Sequence, residues 1–325
     1  MLLADSYQRR FHYLRLSVTE RCNFKCTYCL PNGYQKKDCE PDLSLAEIEI
    51  LIQAFVKLGI RKVRLTGGEP TLRRDIIEIA QVLVAQRGIE EVALSTNGYR
   101  LSSIAGPLLR AGVSAINLSL DSLDPENFKA ITGTGRLNQI LAGLEQALSL
   151  GFQKVKVNLV LLRGQNSHEL AFFQDWIRHR PISVRLIELM QTGENTLFFK
   201  QRHLSLDSIR QELIQTGWCL NPKKLTDGPA QVYSHPDYRG TIGLIAPYSP
   251  GFCEGCNRLR VTSKGALKLC LFGEKQESLR DCLGDISLQE TLLQRVQTLV
   301  AGKPISHFLH DGRVGNTLNF SGIGG

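Results

Sequence analysis

The stretch Cys22-Asn23-Phe24-Lys25-Cys26-Thr27-Tyr28-Cys29 decides how the rest of the chain is read. Three thiols in a C-x3-C-x2-C array can converge on one metal centre. A structural zinc needs four protein ligands, and Cys39, ten residues beyond Cys29, is the nearest candidate for the fourth. Iron–sulfur clusters are held by Cys thiolates in short runs of this kind. Three thiolates for four irons leave one iron open, and an open iron is where chemistry happens. Two occupants remain at this point: a zinc knuckle closed by Cys39, or a cluster with one free coordination site.

The chain around this stretch has 325 residues, enough for one large core or two domains. Its 42% apolar and 22% charged residues are ordinary for a soluble globular protein. No apolar run approaches the roughly 18 residues of a membrane span, and the start, MLLADSYQRR, lacks a secretory segment, so a cytoplasmic protein is expected. Six of nine cysteines fall in two tight groups, which in such a compartment reads as metal ligation rather than disulfides. Cys39, Cys219 and Cys282 read as spare thiols. The net charge of +8 favours anionic partners without separating nucleic acid from a small polyphosphate.

Through the first two thirds, short apolar strands alternate with amphipathic helices. Strands are expected at Tyr13–Val18, Val63–Thr66, Val92–Thr96, Ala115–Leu120, Val155–Leu162 and Val184–Leu189. Ser44 and Glu47 form a capping box opening a helix whose Ile48, Leu51, Ile52, Phe55 and Leu58 keep helical spacing, and Gly59 ends it. Further helices are expected over Leu72–Arg87, Ser102–Arg110, Leu137–Leu150 and His168–His179. Six β/α units predict an α/β fold, a partial (β/α)6 barrel of the TIM type. The Cys loop follows the first strand, Gly67-Gly68-Glu69-Pro70 the second and Asn97-Gly98 the third. Ser119 and Asp121 close the fourth, and Glu188 and Met190 the sixth. All these landmarks sit at C-terminal strand ends, where barrel enzymes build their sites.

Alternation within the strands turns Arg15, Arg64, Thr66, Asn117, Lys156, Asn158 and Arg185 to the barrel interior. Buried cations without partners are costly, and few acids share these inward positions. An interior cavity that receives a polyanion is the reading favoured over neutralisation by neighbouring acids. The β/α rhythm stops near residue 190, dividing the chain into residues 1–195 and a C-terminal α+β region, 196–325. That region has a helix at Leu204–Thr216, β-like sequence at 238–245, and a second cysteine group. Cys253-x2-Cys256 is followed, after thirteen residues, by Cys270. Between them a β-hairpin is expected, with Cys256, Arg258 and Arg260 on one face. A zinc completed by Cys282 or His235, or a second three-Cys cluster, would each satisfy this spacing. His307 and His310 lack an acid–His arrangement and are read as surface residues.

Together the stretches RCNFKCTYC, VRLTGGEP, LSTNG, INLSLDSLD, VKVNLVLLRGQN, VRLIELM and FCEGCNRLRVTSKGALKLCLF, with the terminal Gly324-Gly325, resemble the GTP 3′,8-cyclases. These are radical S-adenosylmethionine (SAM) enzymes that open molybdenum cofactor biosynthesis. The resemblance implies a 4Fe–4S cluster on Cys22, Cys26 and Cys29, with SAM beside Tyr28, Gly68, Asn97, Ser119 and Met190. It implies a second 4Fe–4S cluster on Cys253, Cys256 and Cys270, and GTP held by Arg15, Arg64, Ser95, Lys156, Arg185, Arg258, Leu259 and Arg260. Arg15, Gly324 and Gly325 are implied in catalysis. In that family a radical made from SAM takes hydrogen from C3′ of GTP, and C3′ then bonds C8 of the guanine. Expected partners are an electron donor such as flavodoxin or ferredoxin and the next pathway enzyme, cyclic pyranopterin monophosphate synthase. No stable nucleic-acid or membrane partner is implied, and there is room for a homodimer. Ser95 stands where Thr is common, and Leu30 and Phe320–Ile323 vary from the usual wording. A radical SAM enzyme acting on RNA or a peptide is the alternative, without a visible RNA-binding module; a non-catalytic metal-binding module is disfavoured by the cationic barrel.

Overall fold

The computed structural model describes residues 3–36, 40–223, 227–274 and 276–323. Six parallel strands come first: β1 (Tyr13–Ser17), β2 (Lys62–Thr66), β3 (Glu91–Thr96), β4 (Ala115–Ser119), β5 (Lys154–Leu161) and β6 (Ser183–Glu188). They are hydrogen-bonded in sequence order. Their crossovers carry α1 (Leu45–Lys57), α2 (Ile76–Ala85), α3 (Leu101–Arg110), α4 (Pro125–Thr132), α5 (Leu137–Ser149) and α6 (Leu170–Trp176). Beyond β6 come α7 (Thr196–Arg202), α8 (Asp207–Gln215), β7 (Cys219–Leu220), β8 (Gln231–Ser234) and β9 (Thr241–Ile245). Then β10 (Arg258–Val261), β11 (Ala266–Lys268), β12 (Gln276–Ser278) and α9 (Gln289–Ala301) complete the described elements.

The C-terminal region does not form a separate sheet. β9 adds parallel to β6, β10 adds parallel to β1, and the full order is β12-β11-β10-β1-β2-β3-β4-β5-β6-β9-β8-β7. The partial barrel is therefore extended by one parallel strand on each flank and stays open between its ends. Because β9 and β10 lie on opposite flanks, the segment joining them, 246–257, must cross from one side to the other. Cys253 and Cys256 ride on that crossing.

The core lies between the sheet and its helices. Leu14, Leu16, Val63, Leu65, Leu94, Ile116, Leu118 and Val157 are fully buried on the outer face of the strands. They meet Ile48, Leu51, Ile52 and Phe55 of α1 and Ile79 and Leu83 of α2. Period-two alternation then leaves the polar residues no choice but the inner face. The capping box forms as read: the Glu47 N–H donates to Ser44 Oγ (3.2 Å), and the Ser44 N–H donates to Glu47 Oε2 (2.7 Å). The residue after the helix's C-cap, Gly59, sits at φ 93°, a left-handed conformation that glycine adopts without a Cβ clash.

Three helix readings shift: α2, α6 and α8 begin at Ile76, Leu170 and Asp207, the first two after short 3₁₀ turns at Pro70–Leu72 and Ser167–Glu169. The first, fourth, fifth and sixth strands each stop one residue early, at Ser17, Ser119, Leu161 and Glu188.

Candidate active site

The loops at the C-terminal strand ends are locked to one another by a single buried carboxylate. Glu69 has no exposed surface and accepts from the Thr71 N–H (3.0 Å), Thr96 Oγ1 (2.8 Å) and the Asn97 N–H (2.7 Å). It thus fixes the loop after β2 against the loop after β3. Gly68 lies between Glu69 and the Cys loop, and a Cβ there would stand 2.3 Å from the Arg21 carbonyl oxygen. Only glycine allows that approach. The Cys loop is also held from below by α4, because the Lys25 and Thr27 N–H groups donate to the Thr132 and Ile131 carbonyls (3.0 and 2.9 Å).

One cavity opens above these loops. Cys22, Cys26 and Cys29 line one side of it, with Tyr28, Gly68, Asn97, Ser119 and Met190. Cys253, Cys256 and Cys270 line it as well. Arg15, Arg64, Ser95, Arg185, Arg258 and Arg260 line the same cavity. Residues far apart in sequence are therefore brought together as the resemblance implied. Two are not. Leu259 is fully buried and paired with Leu14, because alternation along β10 turns its side chain outward between Arg258 and Arg260. Lys156 is absent from the cavity wall and sits deeper in the barrel, beside Asn117 of β4 in the strand register. Gly324 and Gly325, like Cys39, lie outside the described residues, but the segment before them is placed. Phe320 and Ser321 line the cavity, Ile323 is buried, and Arg260 Nη1 donates to the Ile323 carbonyl (3.2 Å).

The two zinc completions of the second triad are overturned by position. Cys282 is buried in a 3₁₀ turn, and His235 packs its ring on Trp218 and Tyr238; neither lines the cavity. Cys219 is exposed. His307, read as a surface residue, is instead buried in the cavity wall between Phe252 and Phe272, and burial pulls its pKa down to about 4. Its apolar neighbours come from a loop 35 or more residues upstream, which no local pattern reveals. His310 is exposed as expected. Two more residues belong to the site: Asp121, read from sequence only as a landmark closing the fourth strand, and Lys303, which sequence reading left out. Asp121 accepts from the Tyr28 hydroxyl (2.8 Å) and the Val160 N–H (2.9 Å), and burial pushes its carboxyl up to about 6. The inward alternation of β4 was the available signal for Asp121. Lys303 follows α9, a helix that sequence reading left unassigned.

The electrostatics of the two triads differ. Burial pushes the Cys29 thiol up to about 12 and Cys26 well above the ordinary range, and the neighbouring thiols and Asp121 add to the shift. Deprotonating them calls for a cation among them, which is what a ligated metal supplies. Burial pushes Cys256 up too, but the charges of Arg258 and Lys303 outweigh it and bring the thiol down to about 6. The cations between the triads are crowded. Arg260, Arg15 and Arg64 are direct neighbours in parallel register across three strands. No salt bridge among the described residues involves Arg64, Arg185 or Arg258. Arg64 Nε, Arg185 Nε and Ser95 Oγ are buried with no partner. Unsatisfied buried donors of this kind mark a place for a bound acceptor.

Comparison with known proteins decides the family. A family model described as the radical SAM superfamily matches residues 16–177, and one described as Molybdenum Cofactor Synthesis C matches residues 182–309. The GTP 3′,8-cyclase of Vibrio vulnificus (strain CMCP6) is 49% identical over 323 residues, 99% of this chain and 97% of its own. The chain belongs to the GTP 3′,8-cyclase family of radical SAM enzymes. The enzyme of the same name from Tolumonas auensis is 50% identical over 325 residues, covering 100% of this chain and 97% of its own. Among solved structures, Streptococcus suis SuiB bound to S-adenosylmethionine shares the fold, with a TM-score of 0.62 at 15% identity over 88% of this chain and 69% of that one. As in the family, the cofactors are SAM and two 4Fe–4S clusters. The buried, elevated thiols of the first triad and the cation-flanked thiols of the second fit them.

Lys156 provides a pH test of the cationic interior. Burial, and then the charge of Arg185, pull its pKa down to about 6, so it is largely neutral at pH 8. A polyanion above it favours the charged form and raises that pKa, so binding takes up a proton. Affinity for GTP is expected to rise as pH falls from about 8 to about 6, by up to about tenfold per pH unit, and then level off. Isothermal titration with Lys156→Met should lose that part of the dependence, leaving only the nucleotide's own titration. An unchanged pH profile in the variant contradicts the placement.

Proposed function

We infer that this chain is a GTP 3′,8-cyclase, converting GTP to 3′,8-cyclo-7,8-dihydro-GTP as the first step of molybdenum cofactor biosynthesis. The observation that carries the reading is the single cavity, with one cysteine triad at each side and arginines between them. Cys22, Cys26 and Cys29 would hold the cluster that, with SAM, would supply the 5′-deoxyadenosyl radical the chemistry requires. The protein's part is binding and orientation. Gly68, Asn97, Ser119 and Met190 would hold SAM, with Tyr28 fixed by its hydrogen bond to Asp121. Arg15, Arg64, Arg185, Arg258 and Arg260 would hold the triphosphate by charge-assisted hydrogen bonds, each of which is worth about 1.5–3 kcal/mol. Ser95 offers its unpartnered hydroxyl to the nucleotide, and Lys156 adds charge from beneath. Cys253, Cys256 and Cys270 would hold the second cluster in the wall of the same cavity, where it would supply a metal site for the nucleotide.

Division of the chain into a barrel over 1–195 and a cluster region over 196–325 is retained as a functional division, although strands of both share one sheet. The electron donor would be a flavodoxin or ferredoxin, and the product would pass to cyclic pyranopterin monophosphate synthase. A homodimer in the cytoplasm fits this role. Among the described residues no helix is long and apolar enough to cross a membrane.

Anaerobic reconstitution should give about eight irons per chain, about four at each triad. With SAM, dithionite and GTP the protein should form 5′-deoxyadenosine and cyclised nucleotide. A stoichiometric zinc at the second triad, or turnover with RNA and not GTP, contradicts the reading. Gly324 and Gly325 follow a segment already anchored in the cavity by Ile323 and Arg260, which supports a catalytic role for them. Their deletion is expected to abolish cyclisation while both clusters and GTP binding persist; a synthetic peptide of the last residues should partly restore activity. Full activity without them returns the tail to an ordinary flexible end.

A further inference from the structure

The chain before β1 forms a strap whose purpose the barrel does not explain. Leu3 to Phe11 folds back on itself: the Phe11 N–H donates to the Leu3 carbonyl (3.0 Å), and Ala4 and Arg10 form an antiparallel bridge. The turn is closed by Gln8 at φ 62°, a left-handed conformation that costs a non-glycine residue roughly 1 kcal/mol or more. That turn returns Arg9 over Asp5. Arg9 Nε donates to Asp5 Oδ2 (2.6 Å), and the Arg9 and Tyr7 N–H groups both donate to Asp5 Oδ1 (3.0 Å). Both side chains are buried.

The other face of the guanidinium reaches two distant segments. Arg9 Nη2 donates to the Pro304 carbonyl (2.6 Å), and Nη1 donates to the Ile305 carbonyl (2.8 Å) and the Cys253 carbonyl (3.2 Å). One of these is a ligand residue of the second triad. The others belong to a segment that backs the same triad: Ser306 Oγ donates to Cys253 Sγ (3.7 Å), and Lys303 Nζ donates to the Leu269 carbonyl, next to Cys270. The Cys253 loop is a run of turns carrying Gly251 and Gly255; its backbone bonds, such as the Cys256 N–H to the Cys253 carbonyl (3.1 Å), are internal and leave Arg9 to tie that carbonyl to the 303–306 segment. A buried arginine with a fixed fork of donors is suited to holding several carbonyls at set distances.

We propose that the buried Asp5–Arg9 pair is a positioning element for the second iron–sulfur centre, clamping the Cys253 loop to the 303–306 segment so that the triad keeps cluster-binding geometry. This rests on the two-cluster reading above. The first triad receives none of these contacts, so the clamp acts on one centre and not the other.

The test uses full-length protein reconstituted anaerobically, as wild type, Arg9→Gln, Asp5→Asn and Arg9→Lys. Iron per chain, electron paramagnetic resonance of the reduced centres with and without GTP, and SAM cleavage without GTP are measured on each. Arg9→Gln and Asp5→Asn are expected to lose at least half of the second-centre signal and its response to GTP, and to fall from about eight irons towards about four. The first-centre signal and SAM cleavage should stay within about twofold. Arg9→Lys, which keeps the charge but replaces the fixed fork of three donor nitrogens with one, should lie between. Full second-centre occupancy with an unchanged GTP response in Arg9→Gln overturns the proposal, as does an equal loss from both centres, the signature of a merely structural strap. If Arg9→Gln does not fold, Arg9→Lys and Ser306→Ala carry the comparison, and full occupancy in both overturns it. A wild type that takes up only four irons counts against the two-cluster reading instead.

Discussion

Like charges forced side by side on the inner face of the barrel set the terms for the rest of the structure. Arg260, Arg15 and Arg64 occupy matched positions on three adjacent parallel strands, which lie about 4.8 Å apart. Two unit charges about 6 Å apart repel by about 3 kcal/mol at an effective dielectric of about 20. Burial and the charge of Arg258 pull Arg260 down to about 10, and burial with the charge of Arg64 does the same to Arg185. Tyr13 softens the crowd from below, with Arg64 5.4 Å and Lys62 5.0 Å from its ring centroid. A fold that needed these residues only for stability would place carboxylates among them. Arg64, Arg185 and Arg258, which form no salt bridge among the described residues, are left short of counter-charge, which is sensible where a polyanionic ligand completes the site.

The two triads meet that cationic floor under different conditions, and the difference suits different tasks. The first is buried beside Asp121 and away from the arginines, so its thiolates depend on the iron for compensation. The second sits against Arg258 and Lys303, so its sulfurs, its cations and any bound nucleotide share one electrostatic environment. The sheet stays open, and the 246–257 crossing and the tail at Phe320 and Ser321 both contribute to the wall of the cavity that the two triads share. Glu69 then holds the β2 and β3 loops rigid, so that the SAM side is organised before any ligand arrives.

Much of this was legible in the sequence, and the rest was not for identifiable reasons. The six barrel strands and the inward set Arg15, Arg64, Asn158 and Arg185 follow from period-two alternation, and α1 from its capping box. The flanking places of β9 and β10 did not follow, because strand order is a long-range property that residues 241–245 and 258–261 do not encode locally. α4 and α7 were missed as short helices of eight and seven residues, too brief for periodicity to stand out. α9 was missed although Leu292, Val296 and Val300 keep helical spacing. His307 was misplaced for want of its distant aromatic neighbours. Leu259 shows the opposite limit: a whole motif can be carried across by resemblance, yet the alternation of its own strand turns one member away from the site.

The claim that both cofactor and substrate share this one cavity is tested most directly by following a single atom. GTP carrying deuterium at C3′ should be turned over anaerobically with SAM and dithionite, and the 5′-deoxyadenosine analysed by mass spectrometry. Deuterium in the 5′-deoxyadenosine requires the sugar of GTP to lie against the SAM side, with its phosphates on the arginines, as the account predicts. Turnover that leaves all the deuterium in the nucleotide or releases it to water would contradict it.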